Sequence, residues 1–440
     1  MNKKNATIIL IAMILFPIFG WYRVFAGQQE NQEKLAEYVK MAEFYEEKGI
    51  YIDAVNSYQE AQKLDPKNEE LILKQADLYL KLGDKNGFLK KCDELNSLDY
   101  KNPVPYIRKI EYYMSVNDFK NALKIAKTAK KNTKDNEEIA NLVKELSKKS
   151  TQKYCSFTGL KSWHVQKEDG YLAAEENGKW GLISKDGTKK IKLQYDFIGA
   201  YDEATGVVPC KDGELWYYMD AYGNKKLISD EPYTYLGSFG DGLAPAQKAG
   251  KYGYINTKFE EQKFEFDYAG PFVNGLAAVK KNDKWALINK DLNTVTDFVY
   301  DEIKLDANDF CAHFNLLVAR QGDKYFLMDH EGKKVGAQTF DDICLPASND
   351  QPIAVLSGKK WGFVDQEGKM VIEAKYDKAK SFCHDLAPIE KNERWGFIDL
   401  QEQLIVENKY DDADVFSTDG SAPVAKTGFW SFLILCEYDK

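Results

Sequence analysis

An aromatic residue flanked by Lys and Gly recurs through the second half of this sequence at intervals of 33 to 40 residues. Lys179-Trp180-Gly181 shows the pattern most clearly. Eight centres share the aromatic position: Trp180, Trp216, Tyr252, Trp285, Tyr325, Trp361, Trp395 and Trp430. A period of this length is typical of arrays in which each supersecondary unit buries its apolar face against the next. We therefore predict about eight structural units, in which these aromatic residues have a structural role.

Within each unit, short strands alternate with turns. The turn from Asp365 to Gly368 ends in a Gly, which we expect to adopt the left-handed conformation. An extended piece then ends in a Tyr-Asp pair, and we expect the Asp to accept backbone N–H bonds at a turn. The aliphatic stem of the Lys before each aromatic residue is predicted to lie over the ring, with its ammonium in water. The Gly after it is predicted to let a neighbouring unit pack against bare backbone.

The units can either close into a propeller-like ring or stack as an open β-superhelix. Each unit offers about three strands, whereas a propeller blade usually has four. The eighth aromatic strand, 429–436, lacks later strands of its own, and residues 154–166 precede the first full unit. Because that earlier segment is available to complete the last unit, we favour the ring.

The pattern closely resembles the bacterial WG-repeat (KWG) family, which is named for its Trp-Gly pair. The resemblance covers about 165–434 and implies an all-β repeat domain at 150–440. It implies no particular activity, because WG repeats have no single assigned one.

Residues 35–149 carry a second, helical periodicity. Tyr45, Tyr79 and Tyr113 lie 34 residues apart, and small residues at 42, 54 and 61 would let two antiparallel helices approach closely. Pro66 would end the second helix. The spacing resembles three tetratricopeptide (TPR) repeats, 35–68, 69–102 and 103–136, with a capping helix at 135–149. The resemblance implies an α-solenoid that binds a protein or peptide along its first helices. The candidate contacts are Tyr38, Tyr45, Tyr79, Tyr106 and Tyr113.

A basic run occupies the second helix of the third repeat. It comprises Lys120, Lys124, Lys127, Lys130, Lys131 and Lys134. The run indicates either a solvated helix face or a docking site for anionic lipid or wall polymer.

The first segment of the chain predicts export. Residues 6–22 carry no charged side chain and follow Lys3 and Lys4. We interpret 1–27 as a signal anchor in the cytoplasmic membrane, with 28–34 as a linker and residues 28–440 outside the cytoplasm. The alternative is a signal peptide that is cleaved near Ala26, which would leave a secreted protein.

The composition excludes several functions. Residues 151–440 carry 35 Lys and Arg against 47 Asp and Glu, so nucleic acid is not expected as a partner. The seven Cys are dispersed and fit buried core positions better than a disulfide framework. The four His show no metal-ligand spacing, and no nucleotide or hydrolase motif is present. We therefore expect no metal, cofactor or catalytic residue.

Two non-enzymatic functions remain, and an envelope hydrolase is a weaker third. The first is a protein-binding scaffold at the bacterial cell envelope. The second is a reader of surface polysaccharide or peptidoglycan, which predicts exposed aromatic residues outside the repeat positions, with Trp163 and Tyr217 as candidates. A hydrolase predicts a pocket with clustered polar residues in the most degenerate stretch, 301–345.

Overall fold

The computed structural model describes residues 27–161, 170–184, 187–229 and 233–438. The chain divides into two compact units, residues 1–147 and 148–440. Within the described residues, unit 1 contains seven helices. They are α1 (27–47), α2 (Tyr51–Leu64), α3 (Glu69–Lys81), α4 (Lys85–Leu98), α5 (Val104–Ser115), α6 (Phe119–Thr133) and α7 (Glu137–Ser147).

The helices form three antiparallel pairs and a final capping helix, as the TPR-like spacing predicts. Ala42, Ala54 and Ala61 are fully buried, and the Tyr58 ring fills the space beside them. Small residues at these positions let α1 and α2 pack closely. The expected linker at 28–34 is wrong, because these residues belong to α1.

Unit 2 consists of eight small antiparallel sheets, which we call blades 1 to 8. Blade 1 contains β2 (Gly159–Leu160), β3 (Leu172–Glu176), β4 (Lys179–Ile183) and β5 (Lys189–Tyr195). Blade 2 contains β6 (Phe197–Ile198), β7 (Val208–Asp212), β8 (Leu215–Met219) and β9 (Lys225–Leu227). Blade 3 contains β10 (Tyr235–Leu236), β11 (Ala244–Lys248), β12 (Lys251–Ile255) and β13 (Glu261–Phe266). Blade 4 contains β14 (Tyr268–Ala269), β15 (Leu276–Lys281) and β16 (Lys284–Asn289).

The second half of the unit repeats this arrangement. Blade 5 contains β17 (Glu302–Ile303), β18 (Leu317–Gln321), β19 (Lys324–Met328) and β20 (Lys334–Phe340). Blade 6 contains β21 (Asp342–Ile343), β22 (Ile353–Ser357), β23 (Lys360–Val364) and β24 (Met370–Tyr376). Blade 7 contains β25 (Lys378–Ala379), β26 (Leu386–Lys391), β27 (Arg394–Asp399) and β28 (Leu404–Tyr410). Blade 8 contains β29 (Asp412–Ala413), β30 (Ser421–Lys426), β31 (Phe429–Leu435) and β1 (Ser150–Phe157).

Blade 8 closes the ring, because its outer strand comes from the beginning of unit 2. Strand β1 pairs antiparallel with β31, from Ser150 opposite Leu435 to Phe157 opposite Trp430. The prediction of a propeller-like ring is confirmed, and the open superhelix is excluded. The segment that completes the last blade is 150–157, which only partly overlaps the expected 154–166.

Apolar clusters lie between consecutive blades all the way round the ring. Leu182 of blade 1, for example, packs in one cluster with Val208 and Met219 of blade 2. The closing interface is built in the same way, with Phe432 and Ile434 of blade 8 against Leu172 of blade 1. The repeat pattern therefore places the core between blades rather than within any one of them.

The Lys and Asp of the repeat form an ion pair at the turns. In blade 6, Lys360 Nζ lies 2.5 Å from Asp377 Oδ1. In blade 5, Asp341 pairs with Lys324 while its other carboxylate oxygen accepts the N–H of Gly358. The prediction that the Asp anchors a turn is confirmed. The ammonium of the Lys, which was expected to stay in water, reaches this Asp at an exposed turn.

The Gly after the repeat aromatic has a different role from the expected one. A Cβ on Gly362 would lie 2.6 Å from the carbonyl oxygen of Ile372. Because Ile372 belongs to β24, the close approach is to the outer strand of the same blade and not to a neighbouring unit. The left-handed turn glycine is confirmed at Gly368, whose φ is +76°.

Candidate functional site

The first strand of each blade lies at the centre of the ring. These strands are only two residues long, and the second residue, such as Ile198 or Ile303, is buried in the interblade core. The residues on either side of it contact other blades. The Tyr235 hydroxyl of blade 3 donates a hydrogen bond of 3.4 Å to Asp309 Oδ2. Asp309 lies in the loop that follows the first strand of blade 5. Contacts that skip a blade identify this surface as the lining of the central channel.

The channel lining has an aromatic side and a charged side. On blades 2 to 4, Phe197 and Tyr235 lie 6.3 Å apart between ring centroids, and Tyr268 occupies the matching position of blade 4. On blades 5 to 8 the matching residues are charged, and they are Glu302, Asp342, Lys378 and Asp412. Lysines two positions after these residues on blades 5 and 7 form ion pairs with the next blade. Lys304 Nζ lies 2.5 Å from Asp342 Oδ1, and Lys380 Nζ lies 3.3 Å from Asp414 Oδ1.

Sequence reasoning did not identify these channel positions, although a signal for them was present. Each of them except Tyr235 follows directly after a Tyr-Asp or Phe-Asp pair, with an Ile or Ala one residue further on, as in Asp301-Glu302-Ile303. That apolar residue marks a fourth strand. The prediction of about three strands per unit missed it because two residues are too few for an alternating pattern.

A cavity of about 330 Å³ opens among the loops that follow the inner strands of blades 1 to 5. Tyr171 and Tyr201 form part of its wall, with ring centroids 5.0 Å apart in an edge-on contact. Phe310 lies on another part of the lining, stacked obliquely on His313. The cavity therefore combines aromatic walls with polar groups.

The loop 306–313 carries three of those polar groups, Asp306, Asn308 and His313, and is organised by Asp306. Asp306 Oδ1 accepts the N–H groups of Asn308 and Phe310, and Oδ2 lies 2.8 Å from His313 Nε2. This loop falls within 301–345, the stretch in which the hydrolase hypothesis predicted a polar pocket. The arrangement holds the loop in one conformation.

Lys161 and Asp309 are two charged groups of the channel whose pKa values are shifted. Burial lowers the pKa of Lys161 to about 8, although Asp309 and Asp306 oppose that change. Burial raises the pKa of Asp309, against hydrogen bonds from the Tyr268 and Tyr235 hydroxyls that lower it. A low local dielectric therefore surrounds this part of the channel.

In unit 1, the first helices of the three pairs lie side by side. Lys81 of α3 pairs with Glu46 of α1 at 2.7 Å, and Arg108 of α5 pairs with Asp77 of α3 at 3.1 Å. We call this surface of α1, α3 and α5 the first-helix face. It also exposes the apolar side chain of Val104, at 41%.

The predicted binding tyrosines do not form one set on that face. Tyr38, Tyr45 and Tyr79 are partly buried against the core of the first two helix pairs. Tyr113 is also partly buried and contacts the Tyr112 ring edge-on. Tyr106 is only 6% exposed and packs with Ala129 and Ile139, so as a surface contact it is wrong.

The two aromatic candidates of unit 2 also have different outcomes. Tyr217 is 2% exposed and belongs to the core between blades 1 and 2, so the expectation of an exposed ring is wrong. Trp163 lies outside the described residues, as does the predicted anchor at 6–22. Among the helices of the described ranges, none is both long and apolar enough to cross a bilayer.

Of the repeat aromatics, Trp395 is 6% exposed and the other seven are partly buried.

The cysteines behave as core residues. In the described part of the chain all seven are free thiols, and five are buried. Burial raises the pKa of Cys383 to about 12. The adjacent His384 bonds through Nε2 to the carbonyl oxygen of Ser417, so it is not positioned as a base for this thiol.

Comparisons with known proteins bear mainly on unit 2. The family model described as WG containing repeat matches residues 180–208, 252–285, 361–395 and 395–430. A search of curated proteins gives no match.

Solved structures similar to each unit are found at low similarity. The TPR2B domain of yeast Sti1 in a pHsp70 complex is 23% identical, and the match covers 26% of this chain and 97% of that one, with a TM-score of 0.22. The second TPR domain of human RPAP3 with an HSP70 peptide is 18% identical, covering 27% and 99%, with a TM-score of 0.23. The AfRom2 CNH domain is 8% identical, covering 65% and 98%, with a TM-score of 0.35. The fold assignment rests on the helices and blades of this chain, and the WG-repeat model matches four stretches of unit 2.

Proposed function

We propose that this protein is a non-enzymatic binding scaffold at the bacterial cell envelope, in which unit 1 holds a segment of a partner protein. The first-helix face is the observation that supports this proposal. Three helices present one surface on which ion pairs cross from helix to helix, and an apolar side chain, Val104, is exposed at its edge.

The charges on this face suggest how a partner is held. The pair of Arg108 and Asp77 is about one-third exposed, so little free energy is lost when a partner's carboxylate competes for the guanidinium. Lys74 lies one helical turn before Asp77 on the same helix and is partly exposed. Together these cations favour a segment that carries acidic side chains, while the exposed Val104 favours an apolar residue beside them.

The location at the envelope is part of the proposal. The uncharged run 6–22 behind Lys3 and Lys4 supports an anchor that places residues 28–440 outside the cytoplasm. Protease added to intact spheroplasts is expected to degrade both units. Protection until the cells are lysed would contradict this location.

The test of the scaffold is affinity capture from solubilised envelope with residues 27–440 as bait. Lys74→Glu with Arg108→Glu reverses two charges on the first-helix face. Lys124→Glu with Lys130→Glu reverses two exposed charges on α6 and is the matched control. We expect the control to retain the same partner as the unmodified chain and the first double variant to lose it.

Equal retention by both double variants would refute the role of the first-helix face. Capture of saccharide by unit 2, with no protein that depends on unit 1, would instead favour the reader of surface polysaccharide or peptidoglycan. Glycan analysis of the same eluates separates the two functions.

A further inference from the structure

The cavity at the mouth of the channel contains a partly buried ammonium group, that of Lys161. Within the described ranges, no carboxylate oxygen lies within ion-pair distance of Lys161 Nζ, whose nearest aromatic partner is the Phe197 ring with its centroid 4.0 Å away. Burial lowers the pKa of Lys161 to about 8. A partly buried cation that has no ion pair among the described residues loses part of its hydration, so this position favours an incoming anion.

The carboxylates nearest to this ammonium are already occupied. Both oxygens of Asp306 accept bonds from its own loop and from His313. Asp309 accepts from the hydroxyls of Tyr235 and Tyr268. Neither side chain is available to move onto Lys161 without losing these partners.

A second buried polar atom in the lining is unpartnered. In the described part of the chain, Asn308 Oδ1 is buried and has no hydrogen-bond donor. Asn308 belongs to the same cavity lining as Lys161. The lining therefore offers one donor group and one acceptor, both of which need a partner.

The exposed rim of the cavity is acidic, whereas Lys161 is a cationic side chain of its lining. Glu203 and Asp241 both line the cavity and are exposed. A simple anion would be repelled at the rim, and a simple cation would be repelled by Lys161. Both positions are satisfied together only by a ligand that carries both charges.

We propose that this cavity binds a small zwitterion of the amino-acid or short-peptide class. Its carboxylate pairs with Lys161, and its ammonium group lies toward Asn308 Oδ1 and the acidic rim. The side chain of the ligand packs between the Tyr171, Tyr201 and Phe310 rings. A volume of about 330 Å³ suits a ligand of this size, at the lower end of small-molecule sites. The proposal is independent of the first-helix face.

Three probes of one shape test the charge requirement by titration calorimetry. Phenylalanine has both charges, 3-phenylpropionate lacks the ammonium group, and 2-phenylethylamine lacks the carboxylate. We expect phenylalanine to bind residues 27–440 best and 2-phenylethylamine to bind worst. Leucine and dialanine serve as further zwitterions. Binding of none of the three zwitterions at millimolar concentration, or equal binding of 2-phenylethylamine, overturns the proposal.

Variants then identify the group that binds the carboxylate. Lys161→Met is expected to lower the affinity by roughly thirtyfold or more, because a buried charged partner is removed. Lys192→Met removes an exposed lysine from the outer strand of blade 1 and should leave the affinity unchanged. If Lys161→Met fails to fold, Lys161→Arg replaces it and should retain binding. The order of the affinities of the three probes for the unmodified chain then decides whether both charges are required. Unchanged affinity in folded Lys161→Met overturns the assignment.

Discussion

The ion pair between Lys148 and Asp399 makes a specific prediction about ring stability. Lys148 precedes the closing strand β1, and Asp399 ends the third strand of blade 7. Their side chains are 11% and 2% exposed, and Nζ lies 2.7 Å from Oδ2. Asp399 Oδ1 also accepts the N–H groups of Gln401 and Gln403. Replacing Lys148 with Met therefore leaves a buried carboxylate with only part of its stabilisation.

We expect Lys148→Met to lower the free energy of unfolding of the ring by about 3 to 5 kcal/mol. The matched control is Lys179→Met, because the Lys179 and Asp196 side chains are 49% and 38% exposed and water screens that pair. Its cost should remain below about 1 kcal/mol. Adding Asp399→Asn to Lys148→Met removes the unpaired carboxylate charge and keeps an oxygen that accepts from the two N–H groups. The double variant should therefore recover much of the lost free energy of unfolding.

Urea unfolding followed by tryptophan fluorescence measures these differences. Seven of the eight Trp lie in residues 148–440, and none lies in 27–147, so the signal reports on unit 2. Equal losses in Lys148→Met and Lys179→Met would refute the reasoning, because they would mean that burial does not distinguish the two pairs. A double variant no more stable than Lys148→Met would show that the stranded charge is not the cause.

Four further predictions follow from individual residues. Tyr58→Phe should leave the free energy of unfolding in urea unchanged or raise it by about 1 kcal/mol, since in the described structure the buried hydroxyl has no hydrogen-bond partner. A clear loss of stability would mean that the hydroxyl does have such a partner. Gly362→Ala should cost about 1 to 3 kcal/mol in urea unfolding, because its Cβ would lie 2.6 Å from a backbone oxygen. Hydrogen bonds from Lys324 and a backbone N–H lower the pKa of Asp341, so it stabilises the fold above its ordinary pKa and loses that effect as pH falls. Asp341→Asn should therefore flatten the decrease in melting temperature between about pH 5 and pH 3. Cys155, which is partly exposed, should react with iodoacetamide in the native protein before the buried thiols do. Mass spectrometry of digests taken at early times measures this order, and earlier labelling of a buried thiol would contradict the prediction.

Repetition made most of the fold predictable. The 34-residue steps through Tyr45, Tyr79 and Tyr113 gave the helix pairs, and the recurring aromatic-Gly pair gave eight units. Ring closure was predictable because the eighth unit lacked an outer strand. The prediction placed the start of its replacement four residues too late, since only Lys148 and Lys149 separate α7 from β1 and neither is a residue type that marks a turn.

The binding surfaces were much less predictable, and the reason is physical. Tyr106 and Tyr217 have the composition of contact residues, but a repeat buries most of its aromatic rings between neighbouring units. Lys161 and loop 306–313 lie where the repeat is irregular, and they become neighbours only because the ring closes. A local pattern carries no information about side chains that meet across a channel.

The pairing of β1 with β31 also sets the order in which the protein can be completed during synthesis. Ser150 pairs with Leu435, so nearly the whole of unit 2 has to be synthesised before β1 can pair with β31. Until then the growing chain presents unpaired strand edges, which favour association between chains. A chain interrupted anywhere before residue 429 would retain both open edges permanently. Ring closure is thus all-or-none, since only a chain that includes β31 can pair the two strand edges through which an unfinished copy would aggregate.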